Sequence, residues 1–368
     1  MASRPVKGMS CIRRQGYITV GLYLATRMNN KGVGVALFGL GRIAQVHIKN
    51  LVADPRVDLR WIVEADVDFG KKVMAQTTGL ANAELIAVDN ADKVWKDERT
   101  RAIIVCTPTF THDQIVLDGL KAGKAVFCEK PLSMTLNGVK ALYTLAEECG
   151  LPLFCAFNRR FDPHIRAVRD QVVAGSVGVV RRIHFVANDL QFPSIDYLKI
   201  SGGIYLDSGI HEVDIVCWIV GEAPETVFAQ GLATDPRIAD INDVDEAIIV
   251  LKFPSGVLAT IQKSREAIYG FDQRLEVKGT KGLLQMKNVR SGPSAHHCAG
   301  SVTYDPIHSE MLKRYEESYR LEMTHFLDVV EGNTDALDVS KADTVLATRV
   351  CDLCRLSDKE GKLVTFSS

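Results

Sequence analysis

The fold is decided by the stretch Val33-Gly34-Val35-Ala36-Leu37-Phe38-Gly39-Leu40-Gly41-Arg42-Ile43-Ala44. An apolar run predicts a buried strand, and a Gly-x-Gly-x-x-Ala pattern follows it and opens a helical pattern. In this context the first glycine permits a tight turn, the second admits a pyrophosphate, and the small third residue packs helix on strand. We therefore predict a dinucleotide site at Gly39, Gly41, Arg42, Ile43 and Ala44, rather than an ordinary glycine-rich turn.

Carboxylates follow the second predicted strand, at Glu64 and Asp66. They stand about 25 residues after the first glycine, where an adenosine ribose would lie. A carboxylate there accepts hydrogen bonds from both ribose hydroxyls and repels a 2′-phosphate. We predict NAD as cofactor, with Asp66 the first choice and Glu64 the second. Arg42 complicates the preference because a guanidinium could tolerate a phosphate, and solvated loop charges remain the alternative for both acids.

The chain divides into three predicted regions: a basic extension over residues 1–31, a dinucleotide-binding domain over 32–157 and a second α/β domain over 158–368. Short apolar runs alternate with helical patterns in the dinucleotide-binding domain, which is typical of βαβ units in a doubly wound parallel sheet. Its predicted strands are 33–40, 59–63, 102–106, 125–128 and 153–157, and its predicted helices are 43–52, 69–76, 112–122 and 135–149.

Longer strands with alternating polar and apolar residues characterise the second domain. This pattern predicts a large, mainly antiparallel open sheet with one face covered. The predicted strands are 179–188, 245–253, 256–263, 273–278 and 282–287, and the predicted helices are 205–220, 311–331 and 341–356.

Two further strand ends of the first domain carry polar residues. Thr107 and Pro108 follow one strand and would line the cofactor channel, while His112 is either a cap, a packing residue or a contact. Glu129 and Lys130 end the next strand on the same edge. Because an unpaired ammonium is costly to bury, we interpret Lys130 as a functional group rather than a surface lysine.

The segment 202–218 supplies the second half of the predicted site. Read as one helix, it places Asp207, His211, Asp214 and Trp218 on a single stripe. Oxidising a secondary alcohol requires a base, a positive charge beside the developing alkoxide, and a nicotinamide ring. His211, Lys130 and NAD would fill these places, with Asp207 orienting His211 or holding a substrate hydroxyl; a satisfied core histidine is the alternative for His211.

Four segments together resemble the Gfo/Idh/MocA oxidoreductase family: 39–44, 129–131, 158–162 and 207–214. The segments 207–214 and 269–272 most resemble its inositol 2-dehydrogenases, which oxidise myo-inositol to the 2-keto form. The resemblance implies a homodimer or homotetramer, and an active-site set of Lys130, Asp207 and His211. Arg159, Arg160 and Asp162 are similar to an element near the substrate pocket, although ion pairing between domains explains them equally well. Asn158 of the same segment is expected to bind substrate. Tyr269 is a substrate contact or an ordinary sheet aromatic.

Other readings of the same residues stay open. An aldose, a sugar acid or a dihydrodiol would suit a similar pocket, and a glycosidase with transient NAD oxidation would reuse Lys130. A non-catalytic NAD(P)-binding regulator would need neither Lys130 nor His211.

Composition places the chain among ordinary enzymes: 46% of residues are hydrophobic, 24% are charged and the net charge is −1. We expect a soluble cytoplasmic protein whose cysteines are free thiols. We expect neither a nucleic-acid partner nor a membrane partner. Residues 1–31 are basic and acid-free, so a mitochondrial transit peptide is the alternative. We predict no metal site: His296, His297 and Cys298 lack a second ligand pair, and Cys351 and Cys354 lie in a helical pattern.

Overall fold

The computed structural model describes residues 32–366 of the chain. The basic extension predicted for residues 1–31 lies outside the described residues. No helix within the described range is long and apolar enough to cross a membrane. The cysteines of this range are all free thiols, as predicted.

A six-stranded parallel sheet forms the first half of the structure, with the strand order β3-β2-β1-β4-β5-β6. Strands β1, β4, β5 and β6 are buried almost throughout, because helices cover both faces of the sheet. The strands are β1 (Val33–Phe38), β2 (Val57–Glu64), β3 (Glu84–Ala87), β4 (Thr100–Val105), β5 (Ala125–Glu129) and β6 (Leu153–Ala156). The strand order changes direction beside β1, so the carboxyl end of β1 lies at the crevice where open α/β sheets bind ligands.

Five helices belong to this half: α1 (Ala44–Ala53), α2 (Val67–Gln76), α3 (Asp92–Lys96), α4 (His112–Lys121) and α5 (Leu136–Cys149). Four of them match the predicted helices to within two residues at each end. The prediction missed β3 and α3. Strand β3 is a short edge strand with an exposed start, so it lacks the continuous apolar run of its neighbours.

The second half contains a seven-stranded sheet with the order β12-β11-β7-β10-β9-β8-β15. Only β7 and β10 pair in parallel, so the sheet is mixed but mainly antiparallel, as predicted. The strands are β7 (Val180–Asn188), β8 (Thr226–Leu232), β9 (Glu246–Lys252), β10 (Leu258–Ser264), β11 (Asp272–Gly279), β12 (Leu283–Met286) and β15 (Val364–Thr365). An exposed hairpin separates β12 from the closing helices, with strands β13 (Ala295–Cys298) and β14 (Ser301–Tyr304).

The helices of the second half are α6 (Pro163–Val173), α7 (Ile195–Ser201), α8 (Ile210–Val220), α9 (Pro236–Ala239), α10 (Met311–Arg314), α11 (Glu316–Glu331) and α12 (Lys341–Glu360). The prediction of one continuous helix over 205–220 was wrong. A π-helical turn spans Ile204–Ser208, and α8 begins only after Gly209. Helical periodicity does not reveal such a turn, because one added residue barely alters the apolar pattern.

Helix α11 returns to the first half and packs on α1 and β1. Its Phe326 contacts Phe127 of β5, with ring centroids 5.6 Å apart, and Phe127 stacks on Phe154 of β6 at 5.2 Å. The C-terminal part of the chain thus contributes to the core beneath the first sheet, close to the residues that end β5.

Candidate active site

The glycine turn after β1 provides a close approach and an open space. Gly39 adopts φ +86°, and a Cβ atom there would lie 2.8 Å from the carbonyl oxygen of Cys106, so only glycine fits. A Cβ at Gly41 would meet nothing within 4 Å. The first glycine is therefore required by the protein's own packing, whereas the second leaves room that a ligand can use.

The first turn of α1 faces this space with free donors. Ile43 occupies the N-cap position and no side chain caps the helix, so its first N–H groups have no partner within the helix. Unpaired N–H groups at the positive end of a helix bind phosphate. Arg42 is exposed beside them, and Ala44 is fully buried against the sheet.

Both predicted ribose acids lie at the end of β2, beside the glycine turn. One Glu64 carboxylate oxygen accepts the N–H of Leu40 at 2.8 Å, and the other accepts the N–H of Asp66 at 3.2 Å. Asp66 is exposed and caps α2 by accepting the N–H of Phe69 at 2.9 Å. Glu64 thus supports the turn itself, while the second carboxylate oxygen of Asp66 has no hydrogen-bond partner among the described residues.

The loops after β4 and β5 are tied together by His112. Its two ring nitrogens lie 2.9 Å from the carbonyl oxygens of Thr107 and Pro131. His112 is therefore a packing residue that fixes two loops, one of the readings that its sequence position allowed. Pro108 is exposed, and the Thr107 hydroxyl accepts a hydrogen bond from Thr111 at 2.7 Å.

Lys130 reaches from the end of β5 to the π-helical turn of the second half. Its ammonium nitrogen donates to the main-chain oxygen of Asp207 at 2.5 Å and lies 3.6 Å from the carboxylate of the same residue. The lysine and the aspartate predicted from separate motifs are therefore in contact.

The carboxylate of Asp207 is buried and shared among several donors. It accepts the hydroxyl of Tyr197 at 2.8 Å and the guanidinium of Arg265 at 3.3 Å. The turn that carries it is anchored by Asp243, whose carboxylate accepts the N–H of Ile204 at 3.0 Å. A π-helical turn at this point is consistent with a functional site, where such turns are common.

His211 lies on the first turn of α8 and is nearly buried. Burial, followed by the positive charges of Arg159, Lys130 and Lys263, lowers the pKa of His211 well below its ordinary value. The imidazole is therefore neutral near pH 7 and able to accept a proton. Its Nδ1 atom is buried without a hydrogen-bond partner among the described residues. Within the same residues, the Asp207 carboxylate contacts Tyr197, Arg265 and Lys130 and makes no hydrogen bond to His211.

The arginines after β6 form buried ion pairs. Arg159 pairs with Glu212, and Arg160 makes a bidentate pair with Asp214 at 2.6 and 2.8 Å. Asp214 therefore stabilises Arg160. The residues predicted to lie on one helical stripe, Asp207, His211 and Asp214, do not meet at one site. Two further contacts complete the segment: Asp162 pairs with Arg314 at 2.5 Å, and Asn158 donates to Ser318 at 3.0 Å.

A second lysine near the site was missed by the sequence analysis. Lys263 of β10 is 1% exposed and lies 3.2 Å from Asp189, which also accepts the hydroxyl of Ser208 at 3.3 Å. Burial lowers the pKa of Lys263 to about 8, although Asp189 opposes this effect. The sequence contained a sign of this position: alternate residues of β10 face inward, and Lys263 follows the buried Ala259 and Ile261 in that alternation.

Tyr269 is 61% exposed, beyond the end of β10. Its hydroxyl accepts from Asn188 at 3.1 Å and donates to Asp272 at 2.9 Å. The ring is thus presented to solvent, while its hydroxyl is fixed by the ends of β7 and β11.

Three ionisable side chains of types that can also bind a metal meet at one buried place in the described residues. Nitrogen or oxygen atoms of His47, Glu129 and Glu322 lie within 4.8 Å of one another, and His47 and Glu129 already contact each other at 2.8 Å. His296, His297 and Cys298 instead lie on the exposed strand β13. The cysteines of the Cys-x-x-Cys pair, Cys351 and Cys354, are buried free thiols in α12.

The protein is an NAD-dependent oxidoreductase that acts on CH–OH groups. Its site combines a dinucleotide turn, a contact between Lys130 and Asp207, and a neutral imidazole on α8. The chain belongs to the Gfo/Idh/MocA oxidoreductase family. The family's NAD-binding Rossmann-fold model matches residues 33–157, and its C-terminal domain model matches residues 165–285.

Several relatives support this assignment. The chain is 33% identical over 336 residues to an inositol 2-dehydrogenase of Rhizobium meliloti (strain 1021), covering 91% of this chain and 99% of that one. It is 35% identical over 299 residues to a myo-inositol 2-dehydrogenase of Thermotoga maritima, covering 81% and 88%. A crystal structure of a myo-inositol dehydrogenase from Corynebacterium glutamicum superposes with a TM-score of 0.83 at 30% identity, covering 92% and 99%.

Filling the open space at Gly41 is expected to block the cofactor without disturbing the fold. Gly41→Val should raise the Kd for NAD by about 100-fold or more, because the new side chain occupies the space used by the diphosphate. Isothermal calorimetry with NAD measures this effect. Gly282→Val is a matched control, since its Cβ also meets nothing within 4 Å and it lies outside the turn. Unchanged NAD binding by Gly41→Val would contradict the assignment of the turn.

Proposed function

We propose that this chain oxidises one secondary alcohol of a cyclic polyol with NAD, converting myo-inositol to 2-keto-myo-inositol. The observation that carries the proposal is the 2.5 Å contact between Lys130 and Asp207, which brings the lysine of the cofactor-binding half to the π-helical turn directly before the helix that carries His211. The relatives named above as inositol 2-dehydrogenases support this choice of substrate.

His211 is the proposed base. Because its pKa lies well below the ordinary value, its imidazole is unprotonated at neutral pH and has a lone pair for the proton of the reacting hydroxyl, although the lowered pKa also makes it a weaker base. The Lys130 ammonium then stabilises the negative charge that develops on the substrate oxygen. NAD, when bound at the glycine turn, accepts the hydride from the substrate carbon, so that the carbon becomes a ketone.

The remaining hydroxyl groups of a polyol need paired donors and acceptors. We assign this role to Asp207, Asn158, Arg159 and Tyr269, together with Lys130 and His211. Tyr269 is the exposed member, and its hydroxyl is already oriented by two neighbours. Asn158 and Arg159 are buried, with Ser318 and Glu212 as partners, and would form the wall of the pocket.

On the cofactor side, we assign the diphosphate to the turn residues 39–44 and the adenosine ribose to Asp66, supported by Glu64. Thr107 and Pro108 would line the channel toward the nicotinamide, whereas Glu129, whose carboxylate oxygens are held by His47 and the Lys130 N–H, would act on the cofactor only through Lys130. The free carboxylate oxygen of Asp66 supports the ribose role, because its other oxygen already caps α2.

The substrate assignment is tested by a panel of inositols, aldoses, sugar acids and dihydrodiols, each offered with NAD and with NADP. We expect myo-inositol with NAD to give the highest kcat/KM, by about tenfold over the non-inositol compounds. NADP should be poorer by about tenfold, because the carboxylates at the end of β2 repel its phosphate. Absorbance of the reduced nicotinamide measures every rate. A better sugar substrate would contradict the inositol assignment, and NAD binding without turnover of any compound would favour a regulator.

The roles of Lys130 and His211 predict a loss of turnover with cofactor binding preserved. Lys130→Ala and His211→Ala should each lower kcat by about 1000-fold, since each removes a group used in the transition state. The Kd for NAD should change little. Surface variants Lys140→Ala on α5 and His296→Ala on β13 are the controls, because both side chains are exposed. Near-normal kcat in either active-site variant would refute the corresponding role.

We also propose that the open face of the second sheet pairs with another copy of the chain. This face carries exposed apolar side chains: Leu232, Ile248, Leu258 and Leu283. Cross-strand pairs place them on the same side, with Leu258 opposite Lys252 and Leu283 opposite Lys278.

Carboxylates introduced on the open face of the second sheet are therefore expected to prevent two copies of the chain from pairing. Ile248→Glu combined with Leu258→Glu should convert a dimer or tetramer to a monomer in sedimentation velocity, because burying a carboxylate at an interface is costly. Val173→Glu is the control, since Val173 is equally exposed at the end of α6. A monomeric unaltered protein would rule out the proposed pairing.

A further inference from the structure

A buried cluster of ionisable side chains lies directly behind Lys130. It consists of His47 from α1, Glu129 from the end of β5 and Glu322 from α11. His47 and Glu322 are fully buried, and Glu129 is 7% exposed. The cluster thus joins three elements of the core, one of them from the C-terminal part of the chain.

Both oxygens of Glu129 have a partner. One lies 2.8 Å from the Nε2 atom of His47, and the other accepts the main-chain N–H of Lys130 at 3.3 Å. The ring of His47 is held in turn by edge contacts with Phe127 and Tyr319, at centroid distances of 5.0 and 5.7 Å. Lys130 is therefore fixed at both ends: its main chain by Glu129 and its ammonium by Asp207.

Glu322 is different, because neither of its carboxylate oxygens has a hydrogen-bond partner within residues 32–366, and both are inaccessible to solvent. An ionised carboxylate without partners is strongly disfavoured in such surroundings. The adjacent carboxylate of Glu129 adds like-charge repulsion. Burial and this neighbour raise the pKa of Glu322 well above its ordinary value.

We propose that Glu129 is a positioning residue that sets the main chain of Lys130, and that Glu322 closes the cluster as a neutral carboxylic acid. The inference deepens the proposed function, because it assumes that Lys130 acts on the substrate. It also gives α11 a part in the active site, although no residue of that helix needs to touch substrate.

The positioning role is tested by Glu129→Gln in the full-length protein. Glutamine replaces one acceptor oxygen by an NH2 group, so it keeps both contacts only if the His47 ring changes tautomer and accepts from that group, and both hydrogen bonds then lose the carboxylate charge. We expect kcat to fall by about 10- to 100-fold, because small displacements of a catalytic group are costly, while the KM for NAD stays within about threefold. Glu148→Gln, on the exposed face of α5, is the matched control.

The neutral state of Glu322 is tested independently of activity, by following stability against pH. The other titratable groups near it are His47 on α1, Glu129 on β5, Cys106 after β4 and Tyr319 on its own helix. Burial raises the pKa of Cys106 and of Tyr319, so both stay neutral. Because the folded protein holds the Glu322 proton more tightly than the unfolded chain, its stability falls as the pH rises above the unfolded pKa.

Glu322→Gln lacks this proton, so the variant should gain in Tm relative to the unaltered protein as the pH rises from 5 to 8, by about 4 °C or more. At pH 5 the two proteins should be similar. A Tm difference that does not change with pH would overturn the neutral state. About one equivalent of metal in the purified protein, lost in Glu322→Gln, would show instead that the cluster is a metal site.

These outcomes are separate from those that test the function itself. If Lys130→Ala is inactive and Glu129→Gln retains normal kcat, the positioning role is wrong while the enzyme assignment stands. If the unaltered protein oxidises none of the polyols, the function is wrong, and the stability comparison still decides the state of Glu322.

Discussion

The contact between the Lys130 ammonium and Asp207 is the constraint on which the site depends. Lys130 ends a strand of the cofactor-binding sheet, whereas Asp207 lies on a π-helical turn of the second half. A hydrogen bond to a main-chain oxygen fixes the position of that turn, not merely of one side chain. Because α8 follows the turn directly, the same contact sets where His211 stands relative to the glycine turn. Each half alone would supply only part of the chemistry.

Holding so many charges inside the protein requires that they compensate one another. The buried guanidinium and ammonium groups of the second half each have a carboxylate: Arg159 with Glu212, Arg160 with Asp214, Lys263 with Asp189 and Arg265 with Asp207. Buried pairs of this kind contribute little net stability, because desolvation consumes most of the attraction. Two of them have an electrostatic consequence: Arg159 and Lys263, together with burial and Lys130, lower the pKa of His211. These two ion pairs are therefore better understood as setting the charge state of the proposed base than as strengthening the core.

Local patterns in the sequence were sufficient to predict the parallel sheet, the glycine turn and the lysine at the end of β5, because each depends on residues that are neighbours in the chain. The pairing of Lys263 with Asp189, and of Glu129 with His47, could not be predicted, since it depends on how strands and helices pack. The helical stripe of Asp207, His211 and Asp214 was only partly right, because the π-helical turn and the partner Arg160 redistribute its members. Two signals were available and unused: Lys263 and Glu322 both occupy inward positions of amphipathic elements.

Substrate choice must come from the second half, because the cofactor turn makes no distinction between one secondary alcohol and another. A polyol is recognised by hydroxyl groups, and each buried donor or acceptor that loses its partner costs about 1–3 kcal/mol. Among the proposed contacts, Tyr269 lies beyond β10, and its hydroxyl is held by Asn188 at the end of β7 and by Asp272 at the start of β11. Since β7 pairs with both β10 and β11, the pairing of these strands sets where Asn188 and Asp272 stand relative to Tyr269. The proposed recognition by Tyr269 therefore depends on strand register in the mixed sheet, while the proposed chemistry depends on Lys130 and His211.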